Sequence, residues 1–421
     1  MALTLRNGEW LVGGIQMSAN DHIKPLKGQV GMPPRVLRNV LSLHDFEARA
    51  RGLLPRPIFG YVNGAAEDNH TRDDNRHVFN EFGFKTRVLR NVSARTQSVE
   101  LFGQHYAAPF GIAPMGINAL SAYRGDIVLA RAAAASDIVS IMSGSSLIPL
   151  EEVAAAAPST WFQAYLPGDP ERIAALLTRV ARAKFQTLVV TVDIPVSANR
   201  ENNVRSGFST PLRPSLRLAW DGLIRPRWLF GTFARTLLRH GMPHFENSFA
   251  TRGAPILSAS VLRDFSARDH LDWINLAQIR EQWQGHLVVK GILSVEDAVK
   301  ARQIGVDGII LSNHGGRQLD GAVSPMRILK DVVVALGPHY PVMVDGGFRR
   351  GADILKAIAL GARMVFVGRP FNYAMAVAGD AGVAHAIRLL REEVDRNMAM
   401  LGAESCGSLS PDLLVHKPGC S

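Results

Sequence analysis

Cysteine is nearly absent: the chain holds two in 421 residues, Cys406 and Cys420, both near the C-terminus. From there they can organise neither a disulfide framework nor a thiolate metal site, so no metal is expected and a reducing compartment is predicted. Long apolar runs are missing too. No stretch approaches about 18 uncharged apolar residues, so no transmembrane helix is expected. The early apolar stretch Trp10–Ile15 follows Glu9 and is too short for a signal-peptide core, so no secretory signal is expected. No G-x-G-x-x-G opens a helix after an early strand, which argues against a Rossmann NAD-binding unit. Acid is in deficit: 37 Asp and Glu face 47 Lys and Arg, a formal net charge of +10. Such an excess suits nucleic acid, a membrane surface or an acidic ligand.

Hydrophobic residues make up 47% of the chain, which excludes wholesale disorder. Residues 1–38 show no sustained period and read as an irregular N-terminal arm. The remainder, 39–421, reads as one enlarged domain. From about residue 106, short β-branched runs alternate with turns and helical patterns. The runs are Pro109–Ala113, Ile138–Met142, Thr160–Gln163 and Thr187–Asp193, then His286–Lys290, Gly308–Ser312, Pro341–Asp345 and Met364–Gly368. Continuous rather than alternating apolar character predicts strands buried on both faces, as in a parallel sheet. Helices are predicted at Asp126–Ser136, Pro170–Arg182, Val295–Gln303, Pro325–Ala335 and Arg350–Leu360, with Ser294 as an N-cap. Eight strands with crossover helices predict a (β/α)8 TIM barrel of the α/β class; a doubly wound sheet is the alternative, because counting strands does not show closure.

Chemistry-bearing residues follow almost every run, where a barrel places its active site. After the seventh run stands Asp345-Gly-Gly-Phe-Arg-Arg-Gly351, and after the eighth Gly368-Arg369-Pro370. Glycines admit backbone N–H groups to an anion and arginine supplies a forked donor, which reads as a phosphate site. A phosphate-bearing cofactor inside a barrel suggests FMN, although a phosphorylated substrate would use the same groups. After the sixth run, Ser312-Asn-His-Gly-Gly-Arg-Gln-Leu-Asp320 offers His314 as a general base and Arg317 as a carboxylate clamp. Lys290 closes an apolar strand, where a lysine without an anionic partner is costly.

These stretches, with Tyr61-Val-Asn-Gly-Ala-Ala-Glu-Asp68, Ile112-Ala-Pro114, Phe162-Gln-Ala-Tyr165 and Thr191-Val-Asp193, resemble the FMN-dependent (S)-2-hydroxy-acid dehydrogenase/oxidase family from about residue 39 to about 410. The resemblance implies FMN as cofactor, a homotetramer and a set of roles. His314 matches the catalytic base and Asp193 the carboxylate that orients it. Arg317 and Tyr61 match the holders of the substrate carboxylate, Arg200 a second active-site arginine, and Tyr165 the tyrosine near the reacting hydroxyl. Lys290 matches the lysine beside the flavin. Ser143, Gln163, Thr191 and Ser312 match positions along the ring, and Ala113, Pro114, Met115 and Gly116 the loop against it. Asp345, Gly347, Arg349, Gly368 and Arg369 match the ribityl and phosphate region. Gly116 falls where the family's oxidases often carry Ala and its dehydrogenases Gly, which favours a dehydrogenase. Ser145 falls near a tryptophan of the glycolate oxidases, and a smaller residue leaves room for a bulkier substrate. An L-lactate dehydrogenase, a glycolate-type oxidase using oxygen, and a membrane-bound flavin scaffold without turnover remain alternatives.

About 90 residues (195–285) separate the fourth and fifth runs. Residues 195–252 carry nine arginines, no lysine and three acids, so about +6 of the net charge lies here. On a helix from Arg227 to His240, Leu229, Phe230, Phe233 and Leu237 fall on one side and Arg235 and Arg239 opposite, and Pro226 should break it from what precedes. A basic amphipathic segment with Trp, about 210–245, reads as lying on an anionic membrane; a surface loop with solvated arginines is the plainer alternative. No nucleic-acid-binding module is recognisable. The segment resembles the membrane-associated mandelate dehydrogenase subgroup, which implies peripheral attachment on the cytoplasmic side and electron delivery to a membrane acceptor.

Overall fold

The computed structural model describes residues 34–417 except 210, 214 and 259–267, together with the strands Leu5–Arg6 and Glu9–Trp10. Those two strands pair antiparallel. The rest of the arm up to residue 33 lies outside the described residues, as does Cys420. Cys406 is free and buried.

All eight apolar runs form strands: β1 Phe110–Ile112, β2 Ile141–Ser143, β3 Trp161–Ala164, β4 Thr187–Thr191, β5 His286–Ile292, β6 Gly308–Leu311, β7 Val342–Asp345 and β8 Met364–Val367. Neighbours pair in parallel from β2 through β8, and β8 pairs with β1. A parallel bridge from Ile112 to Ser140 joins β1 to the start of β2 and closes the ring. The doubly wound alternative is thereby excluded.

Alternation within each strand builds two cores. Ile141, Trp161, Val189, Val288, Ile310, Met343 and Phe366 fill the interior. Their neighbours in sequence, such as Phe162, Leu188, Val289 and Val344, face the helices. A hairpin, Val99–Leu101 with Gln104–Tyr106, caps the end where the strands begin; Phe102 at its turn stacks on His286 with ring centroids 4.6 Å apart. Chemistry is left to the opposite end.

The crossover helices run Gly125–Ala134, Pro170–Arg182, Val295–Gln303, Pro325–Leu336 and Gly351–Ala359, each close to its prediction, and Ser294 caps the third by accepting from the Asp297 backbone N–H. Two more were not predicted. Leu150–Ala156 is short and alanine-rich. Trp273–Gln282 carries the fourth crossover: Leu276 and Ile279 are buried in the outer core. The insertion expected over 195–285 therefore ends before residue 273.

The basic segment was read correctly as helical and incorrectly as to its outward face. A helix at Leu216–Leu223 precedes Pro226, which opens a run of Pro226–Trp228, a π-turn at Leu229–Ala234 and Arg235–His240. Leu229, Phe233 and Leu237 are half-buried instead of facing out. Trp228 stacks on Phe233 and donates its indole N–H to the Leu120 carbonyl at 2.6 Å. The exposed apolar set is Leu216, Trp220, Leu223, Ile224, Phe230 and Leu238. Extra residues in the π-turn break the 3.6-residue period on which the sequence reading relied. Among the described residues no helix is long and apolar enough to cross a membrane.

Candidate active site

A cavity of about 840 Å³ opens where the strands end. The helix Arg56–Asn63, started by Pro57, lays Tyr61 across its mouth against Phe208, with ring centroids 4.6 Å apart. Tyr165 after β3, Lys290 in β5, and His314 and Arg317 after β6 reach the same space.

His314 has φ of +57°, a left-handed backbone uncommon for a residue with a side chain. Its amide donates to Ser312 Oγ at 3.0 Å, and its Nδ1 meets Asp193 Oδ1 at 2.9 Å. Nε2 is thereby turned toward the cavity, with Tyr165 Oη 3.5 Å away. Burial lowers the imidazole pKa and outweighs the opposing pull of Asp193. Burial disfavours the Asp193 carboxylate, but the charges of His314 and Lys290 hold its pKa below the ordinary value. A neutral imidazole beside an ionised carboxylate is a base ready to take a proton.

Lys290, which its apolar strand leaves in need of an anionic partner, finds one within the chain. Its ammonium lies 3.1 Å from Asp345 Oδ2 and donates to Ser312 Oγ at 2.8 Å. Burial pushes its pKa down, yet Asp345 and Asp193 together raise it above the ordinary value. The cation is therefore secure in a buried site.

Arg317 Nη1 donates to the carbonyls of Tyr61 and Gly64, both at 2.7 Å, and its guanidinium carbon lies 4.9 Å from the Tyr61 ring centre. Arg200 Nε donates to the Arg317 carbonyl at 3.0 Å, and its Nη2 to Gln318 Oε1. Burial, aided by Arg317, brings Arg200 down to about 10, so it stays charged at neutral pH. Arg369 has partners that the sequence did not show. Its guanidinium spans the carbonyls of Val62, Gly315 and Gly64 at 2.9–3.0 Å, so it ties loops together, although it lines the cavity. Gly347, read as an anion-binding glycine, has a second reason to be glycine: φ is +84° and a Cβ would lie 1.8 Å from the Asn75 carbonyl oxygen.

The family model of FMN-dependent dehydrogenases matches residues 50–416. The chain belongs to that family. It is 36% identical to the (S)-mandelate dehydrogenase of Pseudomonas putida over 381 residues, 90% of this chain and 95% of that protein. It is 39% identical to the L-lactate dehydrogenase of Ectopseudomonas mendocina over 377 residues, 89% of this chain and 98% of that protein. The crystal structure of the monotopic membrane protein (S)-mandelate dehydrogenase superposes with a TM-score of 0.84 at 36% identity, covering 90% of this chain and all of that one.

A chain of this family should offer unpartnered polar groups near the cavity for a flavin or substrate to meet, and it does. Gln163 Nε2, Thr191 Oγ1, Asp345 Oδ1 and Asp193 Oδ2 are buried without a partner among the described residues. Each unmet group costs about 1–3 kcal/mol, and all four lie at the ends of β3, β4 and β7. The cavity volume also falls within the usual range for cofactor sites. Of the residues expected there, Tyr61, Ala113–Gly116, Tyr165, Thr191, Arg200, Lys290, His314, Arg317, Asp345, Gly347, Arg349, Gly368 and Arg369 line the cavity. Ser143, Gln163, Ser312 and Asp193 stand behind the lining: Ser143 donates to Gln163 Oε1 at 3.0 Å.

Sequence reasoning missed the insertion's share of the wall. Val204, Phe208, Leu212, Phe245 and Ile256 line one side. Arg268 lies over the Tyr165 ring at 5.3 Å. These residues sit in loops and short helices without a period, so only the fold brings them there. At Gly116, an added Cβ would lie 3.2 Å from both Tyr61 Oη and Ser145 Cβ, so a methyl would crowd Tyr61.

Proposed function

We propose that this FMN-dependent 2-hydroxy-acid dehydrogenase oxidises an (S)-2-hydroxy acid with a large apolar group, mandelate-like, to the 2-oxo acid at a membrane surface. One observation carries this reading: His314, paired with Asp193, shares a cavity with Arg200 and Arg317 and with the apolar side chains of Phe208, Leu212, Phe245 and Ile256. Arg317 and Tyr61 hold the substrate carboxylate, with Arg200 beside them. Tyr165, its phenol kept neutral by burial, donates near the reacting hydroxyl. His314 takes a proton, and Asp193 stabilises the imidazolium that results.

When bound, FMN would supply the acceptor for the two electrons. Lys290, Thr191, Gln163, Ser143 and Ser312 would hold its ring, with Ala113, Pro114, Met115 and Gly116 against it. Asp345, Gly347, Arg349, Gly368 and Arg369 would hold the ribityl phosphate. A buried cation at Lys290 favours the negative charge of the reduced ring. The purified protein should be yellow and bleach anaerobically with (S)-mandelate, faster than with L-lactate. A colourless protein that stays so with added FMN overturns the reading, and stoichiometric peroxide in air would make it an oxidase.

The acid limb of bleaching follows from His314. Its pKa lies below the ordinary 6.5 and the base form is the active one, so activity is expected to fall only below that pH. Asp193→Asn removes the group that raises this pKa; the limb should move lower still while the plateau rate drops about 100-fold or more. Stopped-flow bleaching across pH checks both.

The chain is further proposed to sit on the cytoplasmic face of the membrane as a homotetramer, handing electrons to a membrane acceptor. The exposed set Leu216, Trp220, Leu223, Phe230 and Leu238 beside the insertion's arginines supports membrane contact. Each such side chain gains about 1.5–3 kcal/mol when fully buried in apolar surroundings. Replacing these five by serine should shift the enzyme from the membrane pellet to the supernatant with bleaching retained; unchanged pelleting refutes the role. Deleting about 210–245 is a poorer probe, because Leu212 and Phe245 line the cavity and Trp228 holds Leu120. Sedimentation equilibrium checks the tetramer.

A further inference from the structure

A second cavity, about 570 Å³, lies in the seam between the insertion and the barrel. The segment after β1 serves both: Ala113–Ile117 and Leu120 line the active-site cavity, and Ser121–Arg124 line this one. Apolar side chains make its floor, among them Leu54, Ile127, Val128, Met375, Val377 and Trp228. Part of the wall is the break in the long C-terminal helix, where Ala378 and Gly379 leave helical geometry.

Four arginines line this cavity: Arg124, Arg131, Arg227 and Arg235, with Asp380 as the single acid. Arg124 is held by Glu152 and Arg131 by Asp380. Among the described residues Arg227 and Arg235 form no salt bridge. Arg235 lies 3.9 Å from the Tyr123 ring centre, which fixes its direction. Phe230 and Leu238, on the same helical run, are 69% and 87% exposed. Gly231 lines the cavity, and a Cβ there would meet nothing within 4 Å.

A ligand that fits needs an anionic head for two guanidinium groups, an apolar body for the floor, and a way out beside exposed aliphatic and aromatic side chains. Arginine is well matched to phosphate because its planar fork donates two parallel hydrogen bonds. We propose that this cavity seats one anionic phospholipid, its phosphodiester between Arg227 and Arg235 and its acyl chains running over the floor and out past Phe230 and Leu238. The proposal rests on the membrane contact proposed above and goes further, since a flat basic surface would bind many lipids loosely and none at a fixed place.

The test is native mass spectrometry of the detergent-solubilised holoenzyme with phosphatidylglycerol, phosphatidylcholine or inorganic phosphate, beside pelleting with vesicles of the same lipids. One phosphatidylglycerol per chain is expected, with phosphatidylcholine at least about tenfold weaker and no displacement by inorganic phosphate. Arg227→Gln with Arg235→Gln should weaken that adduct about thirtyfold. Gly231→Trp, which fills the space and removes no charge, should abolish the adduct while vesicle pelleting persists. Arg217→Gln with Arg239→Gln, removing two charges outside the cavity, should leave the adduct intact. FMN content and bleaching should stay at wild-type level in all three. An adduct that survives Gly231→Trp, lacks one-to-one saturation, or yields to inorganic phosphate overturns the proposal. Wild type that pellets with vesicles but forms no such adduct refutes the cavity alone; wild type that does not pellet refutes the membrane reading itself.

Discussion

Replacing His314 by asparagine is expected to slow anaerobic bleaching by (S)-mandelate by about 10²–10⁴-fold, with FMN content and the visible spectrum unchanged. Asparagine is the better probe than alanine because the position has φ of +57°, and asparagine tolerates left-handed backbone. It removes the group that accepts the proton and leaves the turn in place. The effect should be large because among the described residues no second base stands nearby in suitable form: Tyr165 is held neutral by burial, Asp193 is engaged with the imidazole, and Lys290 is kept protonated by Asp345. Stopped-flow spectrophotometry measures it, and a rate within tenfold of wild type would sink the assignment of His314 as base.

The second large effect is at Lys290, where chemistry and stability coincide. Its side chain is 5% exposed and that of Asp345 9%. Lys290→Met leaves Asp345 charged and buried without its partner, which destabilises by roughly 3–5 kcal/mol. The holoenzyme should melt earlier and retain less FMN, and what remains should bleach slowly for want of a cation beside the reduced ring. Lys290→Met with Asp345→Asn separates the two roles. Neutralising both partners should recover most of the lost thermal stability, while bleaching stays slow. If the double variant regains bleaching as well, Lys290 contributes through structure alone. Calorimetry and flavin quantitation on the same preparations decide between them.

Much of this site was legible in the chain because strands buried on both faces announce themselves as continuous apolar runs, and the residue that ends each run must face the mouth. That is why all eight strands, His314, Arg317 and Lys290 could be read in order. Arg369 shows the limit. Its place after β8 marks it as a candidate phosphate ligand, but nothing local shows that three of its N–H groups also go to carbonyls of distant loops. Asp345 shows another: a carboxylate 55 positions from Lys290 in sequence becomes its neighbour only through the parallel pairing of β5, β6 and β7.

The insertion divides the same way. Its charge and helical content are properties of composition and short-range pattern, so the sequence alone located a basic, apolar-bearing segment between the fourth and fifth strands. Which side chains face outward was decided by the π-turn at Leu229–Ala234 and by the docking of Trp228 on Leu120. The same holds for Phe208, Leu212, Phe245 and Ile256, whose convergence on one wall has no period to betray it. By itself, then, the sequence located the eight strands and the chemistry-bearing residues at their ends, because those depend on local periodicity, and its family resemblance named the cofactor. Only the tertiary structure decided the closure of the barrel, the Lys290–Asp345 ion pair, the apolar share of the active-site cavity and the arginine-lined cavity in the seam, because each arises where segments far apart in the chain pack together.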